Sequence, residues 1–407
     1  MSVEMKDSGI NGIGLIPNSW HTKKLGVFFT ENSKVNYAFS SSNALQFKYG
    51  EIIQKANNNR ELEEQEIELL KRYIIVEPND IVVNGLNLNY DFNSLRIARV
   101  KESGIITSAY IVLRPKFDGD TSFFNYLLKT LDNQKIFHGM GVGIRLTLKF
   151  KELRSILIPV PPHEEEQSRI ANFLDKKCAE IDGLIALQEQ MIAQLNTYKQ
   201  AVITETVIKG LDPNVKMKDS GVEWIGEIPE HWSICKIQYM ANLKSGYNLT
   251  TEEISDEGLY PVYGGNGIRG YYHNFFNEGE YVLIGRQGAL CGNINYSTGK
   301  FWATEHAVVC YPKMEYATKW FGELLRSMNL NQYSLASAQP GLAVERIKAL
   351  SIPLPPSTEQ QSIANYLDQK CKEIDELISI KKEKIEKLKT YKKSVIFEYV
   401  TGKKHTN

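Results

Sequence analysis

Arginine and carboxamide side chains follow strand-like runs, or stand in glycine-rich turns, at several points of this 407-residue chain. Arginine can form two parallel hydrogen bonds with guanine, and asparagine or glutamine can do the same with adenine, in the major groove of DNA. Their chemistry is therefore recognition of base edges rather than bond cleavage. The candidates are Asn84, Asn87, Asn89 and Arg145 in the first half of the chain, and Arg269, Arg286 and Gln287 in the second half. The alternative is that each is an ordinary solvated loop residue.

Motifs that indicate catalysis are absent from the sequence. It has no G-x-x-x-x-G-K-[ST] phosphate loop and no Asn/Asp-Pro-Pro-Tyr/Phe tract of amino-methylating enzymes. The seven histidines form no cluster at zinc-binding spacing, so we expect no metal site. Glu305 and His306 could suggest acid–base catalysis, but no nucleophile motif accompanies them. Trp20 and Trp232 occupy matching places, and we predict that they are core anchors rather than platforms for stacking bases.

The composition is that of an ordinary globular protein, with 42% hydrophobic and 24% charged residues. No apolar stretch approaches the roughly 18 residues that cross a bilayer, and five cysteines are too few for a disulfide framework. These features predict a cytoplasmic protein without a membrane partner. Basic and acidic residues balance at 48 each, which counts mildly against a nucleic-acid binder. The balance is uneven locally, because residues 381–393 carry seven lysines and two glutamates.

The elements that must position these side chains form a tandem duplication. Residues 5–20 match residues 217–232 at ten of sixteen positions. Further along each copy, residues 171–182 match residues 364–375 at nine of twelve positions. The repeat unit of roughly 200 residues is too long for a solenoid. Each unit is therefore predicted to be a strand-rich globular domain with an appendage.

Each appendage is predicted to be a long helix that follows a Pro-Pro pair. Apolar residues in it recur at alternating spacings of four and three, the pattern of a coiled coil. The seam residues are Leu174, Cys178, Ile181, Ile185, Ile192 and Leu195 in the first helix, and Leu367, Cys371, Ile374, Ile378, Ile385 and Leu388 in the second. We interpret Cys178 and Cys371 as small buried hydrophobic residues rather than as a disulfide or a metal site.

Two other features of the helices concern their partners. Both seams become polar at the same two positions, which could fix the register of pairing; these are Gln188, Lys199, Lys381 and Lys392. A second apolar stripe on the first helix would let it pack against a further surface. The stripe consists of Leu184, Leu187, Met191 and Tyr198.

Chain order predicts the direction of pairing. Only a short link joins the first helix to the second domain, so helices that pair at all must run antiparallel, with one domain at each end. The predicted fold is α+β. Its parts are a first domain (1–160), a first helix (161–210), a second domain (211–354), a second helix (355–403) and a tail (404–407). A helix over residues 167–208 rises about 60 Å, longer than one turn of B-DNA, and could serve as a ruler between two DNA-reading domains.

These features resemble the specificity subunit of type I restriction-modification systems over essentially the whole chain. The Gly-x-Ile-Pro-x-x-Trp sequences at 14–20 and 226–232 resemble the openings of that family's target-recognition domains. The Gln-x-x-Ile-Ala-Asn-Phe/Tyr-Leu-Asp sequences that begin at Gln167 and Gln360 resemble its helix starts. Residues 263–307 also contain glycine-rich segments similar to those of many such domains.

The resemblance implies a non-catalytic subunit. Each target-recognition domain would read one half of an asymmetric bipartite site in double-stranded DNA, while the coiled coil sets the gap and docks two modification subunits. Those partners would methylate adenine with S-adenosylmethionine. Restriction subunits would add ATP-driven translocation and cleavage, and Mg²⁺ would also belong to the partners, so no cofactor is expected in this chain.

Two other classes of function stay open from the sequence. A protein–protein adaptor is supported by the zero net charge. An enzyme with an unrecognised site, such as a nuclease built on scattered carboxylates, would show metal-dependent activity from this chain alone.

Overall fold

The computed structural model describes residues 4–48, 50–55, 63–88, 95–140, 146–288, 291–334 and 341–406. The chain forms two compact units. The first consists of Met1–Leu187 with Lys384–Asn407, and the second of Gln188–Glu383. Among the described helices, none combines the length and apolar character that a membrane crossing needs.

The first unit contains twelve described strands and three α-helices, together with the first half of a fourth and the end of the last long helix of the chain. The strands are β1 (Met5–Asp7), β2 (Leu15–Pro17), β3 (His21–Lys24), β4 (Phe29–Glu31), β5 (Leu45–Lys48), β6 (Glu51–Gln54), β7 (Ile74–Val76), β8 (Ile81–Val83), β9 (Ile97–Arg99), β10 (Gly104–Ile106), β11 (Ile111–Pro115) and β12 (Leu157–Val160). The helices are α1 (Glu64–Leu70), α2 (Ser122–Asn133), α3 (Phe150–Leu153) and α4 (Glu164–Lys209).

An antiparallel sheet in the order β4-β11-β8-β9 forms the centre of the first unit. Successive side chains of a strand point to opposite faces, and here both faces are covered. Ile81 and Val83 of β8 join the larger core, which includes Phe123 and Phe124 of α2. Val82 points the other way, into a smaller cluster with residues of β5, β7 and β10. Continuous apolar runs in these short strands therefore reflect burial on two sides.

The second unit repeats this scheme with a larger second sheet. Its strands are β13 (Met217–Asp219), β14 (Glu227–Pro229), β15 (Ser233–Lys236), β16 (Ala241–Ser245), β17 (Tyr260–Gly264), β18 (Gly267–Tyr272), β19 (Asn277–Glu278), β20 (Tyr281–Gly285), β21 (Ile294–Ser297), β22 (Lys300–Ala303), β23 (Ala307–Pro312) and β24 (Ser351–Leu354). Its helices are α5 (Ile237–Met240), α6 (Thr318–Ser327), α7 (Val344–Lys348) and α8 (Ser357–Val400), the last of which ends in the first unit.

The central sheet of the second unit is antiparallel in the order β16-β23-β20-β21 and corresponds to that of the first. A second sheet, β18-β17-β22-β19, is mixed because β17 and β22 run parallel. The predicted α+β class and the tandem duplication are confirmed. The two domains differ most where this second sheet replaces the separate pairs β5-β6 and β7-β10 of the first unit.

In each unit the start and the end of the domain are joined by a strand pair. β3 pairs with β12 in the first unit, and β15 pairs with β24 in the second. The tryptophan before each pair is 1% exposed and donates its indole hydrogen to a glutamate in the first turn of the following helix. The distances are 3.1 Å from Trp20 Nε1 to Glu166 Oε1 and 2.9 Å from Trp232 Nε1 to Glu359 Oε2.

The same two tryptophans lie beside glycines that follow the helix ends. Gly402 follows α8 with φ +70°, and a Cβ added to it would lie 3.1 Å from the Trp20 ring. Gly210 follows α4 with φ +78°, and a Cβ there would also lie 3.1 Å from the ring of Trp232. Glycine suits both positions, since the backbone is left-handed and a side chain would crowd the indole. At 402 a side chain would also collide with Pro17, whose Cδ lies 2.5 Å from an added Cβ.

The helices α4 and α8 pair in antiparallel fashion, as predicted from the chain order. In the first unit, Lys392 Nζ lies 2.7 Å from a carboxylate oxygen of Asp182, and the Phe173 and Tyr399 rings stack with centroids 4.3 Å apart. In the second unit, Lys199 Nζ lies 2.6 Å from a carboxylate oxygen of Asp375. The two ion pairs occupy equivalent repeat positions with the helices exchanged.

The predicted seam residues are buried or half-buried in both helices, while residues beside them are mostly exposed. The cysteines at the equivalent seam position are free thiols. Burial raises the pKa of the Cys178 thiol and of the Cys371 thiol. Both side chains therefore pack as neutral, weakly reactive groups.

Candidate nucleic-acid interface

Three loops of the second unit converge at one edge of its sheets, and we call them the loop cluster. They are the turn 264–267 between β17 and β18, residues 286–288 after β20, and residues 304–306 between β22 and β23. The Arg286 amide donates to the His306 carbonyl at 2.8 Å. A Cβ on Gly265 would lie 3.3 Å from that same carbonyl oxygen. Glycine at 265 thus lets the three backbones approach closely.

The loop cluster contains Arg286 and Gln287, and Arg269 reaches it from β18 rather than from the turn in which it was predicted. Arg269 and Gln287 are exposed, and neither side chain makes a hydrogen bond to a described residue. The aliphatic stem of Arg269 crosses Gly264, where a Cβ would lie 2.5 Å from Arg269 Cδ. Arg286 is half-buried, and its Nη1 donates to Ser245 Oγ at 3.1 Å, which orients the guanidinium.

Buried polar atoms without hydrogen-bond partners accumulate around the loop cluster. They include Thr304 Oγ1, Glu305 Oε2, His306 Nδ1 and Asn295 Nδ2. His306 Nε2 lies 2.9 Å from Glu305 Oε1. Because an ionised carboxylate can only accept, Nε2 carries a hydrogen, while Nδ1 has no partner among the described residues. Native structures leave few such atoms unpaired, so the loop cluster has unused hydrogen-bonding capacity.

The corresponding loop of the first unit follows β8 and is held by a buried arginine. Arg96 is 1% exposed, and its guanidinium donates to the carbonyl oxygens of Asn84 at 3.1 Å, Leu86 at 2.6 Å and Asn87 at 3.2 Å. The Arg96 amide also donates to Asp132 Oδ2 at 2.9 Å, while burial raises the pKa of Asp132. Arg96 therefore fixes the path of this loop from beneath.

The candidate side chains on this loop differ in their surroundings. Asn87 is exposed in a left-handed conformation with φ +51°. Asn84 is half-buried, and its Oδ1 accepts a hydrogen bond from the Leu86 amide at 3.1 Å. The oxygen of its carboxamide therefore already has a partner within the turn. Asn89 and Arg145 lie outside the described residues.

Sequence reasoning missed the residues that support the candidates. Arg96 stands directly before a strand-like run and carries no signal that it turns back toward the Asn84–Asn87 loop. Glu305 and His306 were weighed as a catalytic pair and as part of a segment that resembles the family, but not as DNA contacts, whereas the structure places them in the loop cluster beside Arg286. Within the described part of the chain, no group of three or more histidine, cysteine, aspartate or glutamate residues could hold a metal ion.

A second candidate surface lies on the long helices. The stripe residues Leu184, Leu187, Met191 and Tyr198 of α4 are exposed. At equivalent repeat positions of α8, the exposed residues are Leu377, Ile380 and Tyr391. Large apolar side chains exposed at matching places of both helices favour binding of a protein partner to each copy.

Comparison with known proteins gives concordant matches. Residues 17–197 and 229–390 match the family described as the type I restriction modification DNA specificity domain. The type I restriction enzyme EcoprrI specificity subunit of Escherichia coli is 44% identical over 131 residues, which cover 31% of this chain and 33% of that protein. The type I restriction enzyme MjaVIII specificity subunit of Methanocaldococcus jannaschii is 26% identical over 369 residues, or 83% of this chain and 82% of that protein.

A solved structure shares the fold. It comes from a study of complex assembly and conformational transition of the type I R-M system, and it superposes with a TM-score of 0.73 at 16% sequence identity. The superposition covers 95% of this chain and 98% of the other.

Proposed function

Because this chain belongs to the type I restriction-modification DNA specificity family, we propose that it directs its complex to an asymmetric bipartite site in double-stranded DNA. Recognition of a DNA target is the family's function, and the catalytic steps of the system fall to other subunits. The finer proposal is that each domain reads one half of the site.

The observation that carries this proposal is that Arg286 and Gln287 lie in the loop cluster and that Arg269 of β18 reaches it beside Gly264. Arginine and glutamine are the side chains that form paired hydrogen bonds with guanine and adenine. Ser245 orients Arg286, and the unpaired Thr304 and His306 atoms nearby offer further donors and acceptors. In the first domain, the Asn84–Asn87 loop held by Arg96 would play the same part, together with Asn89 and Arg145.

The paired helices would set the gap between the half-sites. Helix α4 contains 46 residues, which correspond to about 69 Å at 1.5 Å per residue. That length exceeds one turn of B-DNA, so readers held by such helices would reach separate stretches of one duplex. The ion pairs of Lys199 and Lys392 would fix the register of the helices and hence the gap.

The exposed apolar residues repeated on α4 and α8 would dock two modification subunits, one on each copy. Such docking would explain why large apolar residues are exposed at the same repeat positions of both helices, for example Leu187 of α4 and Ile380 of α8. S-adenosylmethionine would bind to the modification subunits, and ATP and Mg²⁺ would serve restriction subunits, so this chain would supply recognition alone.

The proposal is tested by mapping methylated adenines in DNA by single-molecule sequencing. Cells that carry the modification partner with this chain are compared with cells that carry the partner alone. We expect a new bipartite motif with a fixed gap. If the subunits form a complex but no new mark appears, the proposal is wrong, and an adaptor function takes its place.

A further inference from the structure

A cleft of about 860 Å³ lies within the first unit, and we call it the α2 cleft. Helix α2 forms its floor, residues 50–52 and β9 form one side, and α4 with the end of α8 form the other. The cleft is of the size that accommodates a small organic ligand, for which pockets of roughly 300–1,000 Å³ are usual. It is separate from the Asn84–Asn87 loop.

One face of α2 supplies polar side chains to the floor. Ser122, Asn125, Lys129 and Asn133 recur at spacings of three and four, which place them on the same face of a helix. Ser122 is 3% exposed, and its Oγ has no hydrogen-bond partner. Asn125 Oδ1 is likewise buried without a partner. Two polar atoms on the floor thus have unused hydrogen-bonding capacity.

The walls carry an excess of positive charge. Six basic and four acidic side chains line the α2 cleft. The acidic ones are mostly engaged, since Asp182 pairs with Lys392, Glu386 pairs with Lys389, and Asp175 accepts a hydrogen bond from Tyr126 at 2.6 Å. Three lysines, Lys101, Lys129 and Lys393, have no hydrogen-bond or ion-pair partner among the described residues.

Lys129 is the most informative of these three. It is half-buried, and burial lowers the pKa of its amine by more than the charge of Glu51, the remaining acidic residue of the walls, raises it. An unpaired ammonium group in such a place is costly unless an anion binds to it. Lys129 lies two helical turns along α2 from Ser122, so its charge and the unpaired Ser122 hydroxyl face the same floor of the cleft.

Only part of the lysine-rich wall is a feature of the repeat, because Lys392 corresponds to Lys199 whereas Lys393 has no lysine counterpart. Lys393 comes from the basic stretch 381–393, and its equivalent in α4 is Gln200. The duplication therefore accounts for the paired helices but not for the positive charge that Lys393 adds to the cleft. A function specific to the first unit is indicated, separate from the duplicated reading of DNA.

We infer that the α2 cleft binds a phosphate-bearing nucleotide. The phosphate oxygens accept hydrogen bonds from Lys129, Lys101 and Lys393, while Ser122 and Asn125 bind polar groups of the nucleoside. A free nucleotide fits a cleft of this size, whereas a double helix is far wider and presents only a backbone phosphate at its mouth. The inference does not depend on the proposed DNA-reading function.

Calorimetric titration of the full chain in complex with the modification subunits, without restriction subunits, tests this inference. The probes are ATP, adenosine and inorganic triphosphate. We expect ATP to bind, adenosine to bind much more weakly, and the Lys129→Met variant to lose at least tenfold in ATP affinity. Methionine retains the apolar stem and removes the charge, so the variant should fold. The matched control is Lys382→Met, because Lys382 is an exposed lysine of α8 that does not line the cleft.

A second titration distinguishes the two sources of phosphate, with a DNA duplex that lacks the target site. If the duplex displaces ATP and Lys129→Met weakens duplex binding, the natural ligand is the DNA backbone. If the duplex leaves ATP binding unchanged, the ligand is a free nucleotide. Absence of ATP binding, or equal ATP affinities of Lys129→Met and Lys382→Met, overturns the inference.

Methylation mapping separates this result from the proposed function. Lys129→Met should leave the methylated motif unchanged, since the α2 cleft does not read bases. A missing bipartite motif in the unmodified protein would contradict the proposed function while leaving the nucleotide titration intact.

Discussion

The indole of Trp232 donates a hydrogen bond to the Glu359 carboxylate at 2.9 Å, and this contact joins the beginning of the second domain to the first turn of α8. His231 Nε2 lies 2.6 Å from the other oxygen of the same carboxylate. The first unit repeats the contact between Trp20 and Glu166 without the histidine. The angle at which each helix leaves its domain is therefore fixed by a buried side chain.

Replacing Glu359 by alanine should lower the free energy of unfolding by about 1–3 kcal/mol, because it leaves the buried indole hydrogen of Trp232 unpaired. The measurement is urea unfolding of Glu359→Ala beside Glu376→Ala, an exposed glutamate of the same helix. Equal losses in the two variants would show that the indole contact contributes nothing specific.

Reversing one charge across the helices should destabilise their pairing modestly. Lys392→Glu places two acidic groups together at Asp182, and partly exposed ion pairs contribute about 0.2–1 kcal/mol each. Adding Asp182→Lys should restore the melting temperature, and high salt should shrink the difference between the variants. A double variant no more stable than Lys392→Glu would contradict the assigned ion pair.

Replacing Arg286 by alanine should relax the specificity of one half-site. Loss of a paired contact to a base costs about 1–3 kcal/mol of discrimination, so methylation should spread to sites that differ at one position. The readout is the motif of methylated adenines, with Arg346→Ala, an exposed arginine elsewhere in the same unit, as the control. An unchanged motif and unchanged DNA affinity would refute the assignment of Arg286.

Changing Arg96 to methionine should affect both stability and recognition. The guanidinium satisfies three carbonyl groups of the Asn84–Asn87 loop, so its removal should lower the free energy of unfolding by at least about 2 kcal/mol. Lysine would retain the charge but cannot reproduce the planar set of donors. In methylation mapping, the half-site read by the first domain should become less specific in Arg96→Lys. An effect on the other half-site alone would be incompatible with this role.

The long helices could be predicted from the sequence because their signal is repetitive. The apolar residues of each seam recur at alternating spacings of four and three, which only a coiled-coil helix explains. The duplication then shows the same pattern twice. The partners of Lys199 and Lys392 could not be predicted, since the register of an antiparallel pair depends on how both domains hold the helix ends. The sequence marked the polar seam positions without identifying Asp375 and Asp182.

The loop cluster was predictable in part. Arg286 and Gln287 follow a strand, as predicted, and that local pattern suffices to propose them. Arg269 was proposed from the glycine-rich segment around it, but it lies in β18 rather than in a turn. The convergence of the three residues depends on the parallel pairing of β17 with β22, which no local sequence pattern predicts. Arg96 was missed for the same kind of reason, because its partners are backbone carbonyl groups, which have no signature in the sequence.

The tryptophans at the domain starts impose a constraint on how this protein can evolve. Trp20 contacts the first turn of α4 and the glycine after α8, and Trp232 contacts the first turn of α8 and the glycine after α4. Each indole thus lies between the first turn of one long helix and the glycine that ends the other. An extra turn inserted into one helix alone would pull a glycine away from its tryptophan, so lineages that alter the spacing must lengthen or shorten both helices in concert.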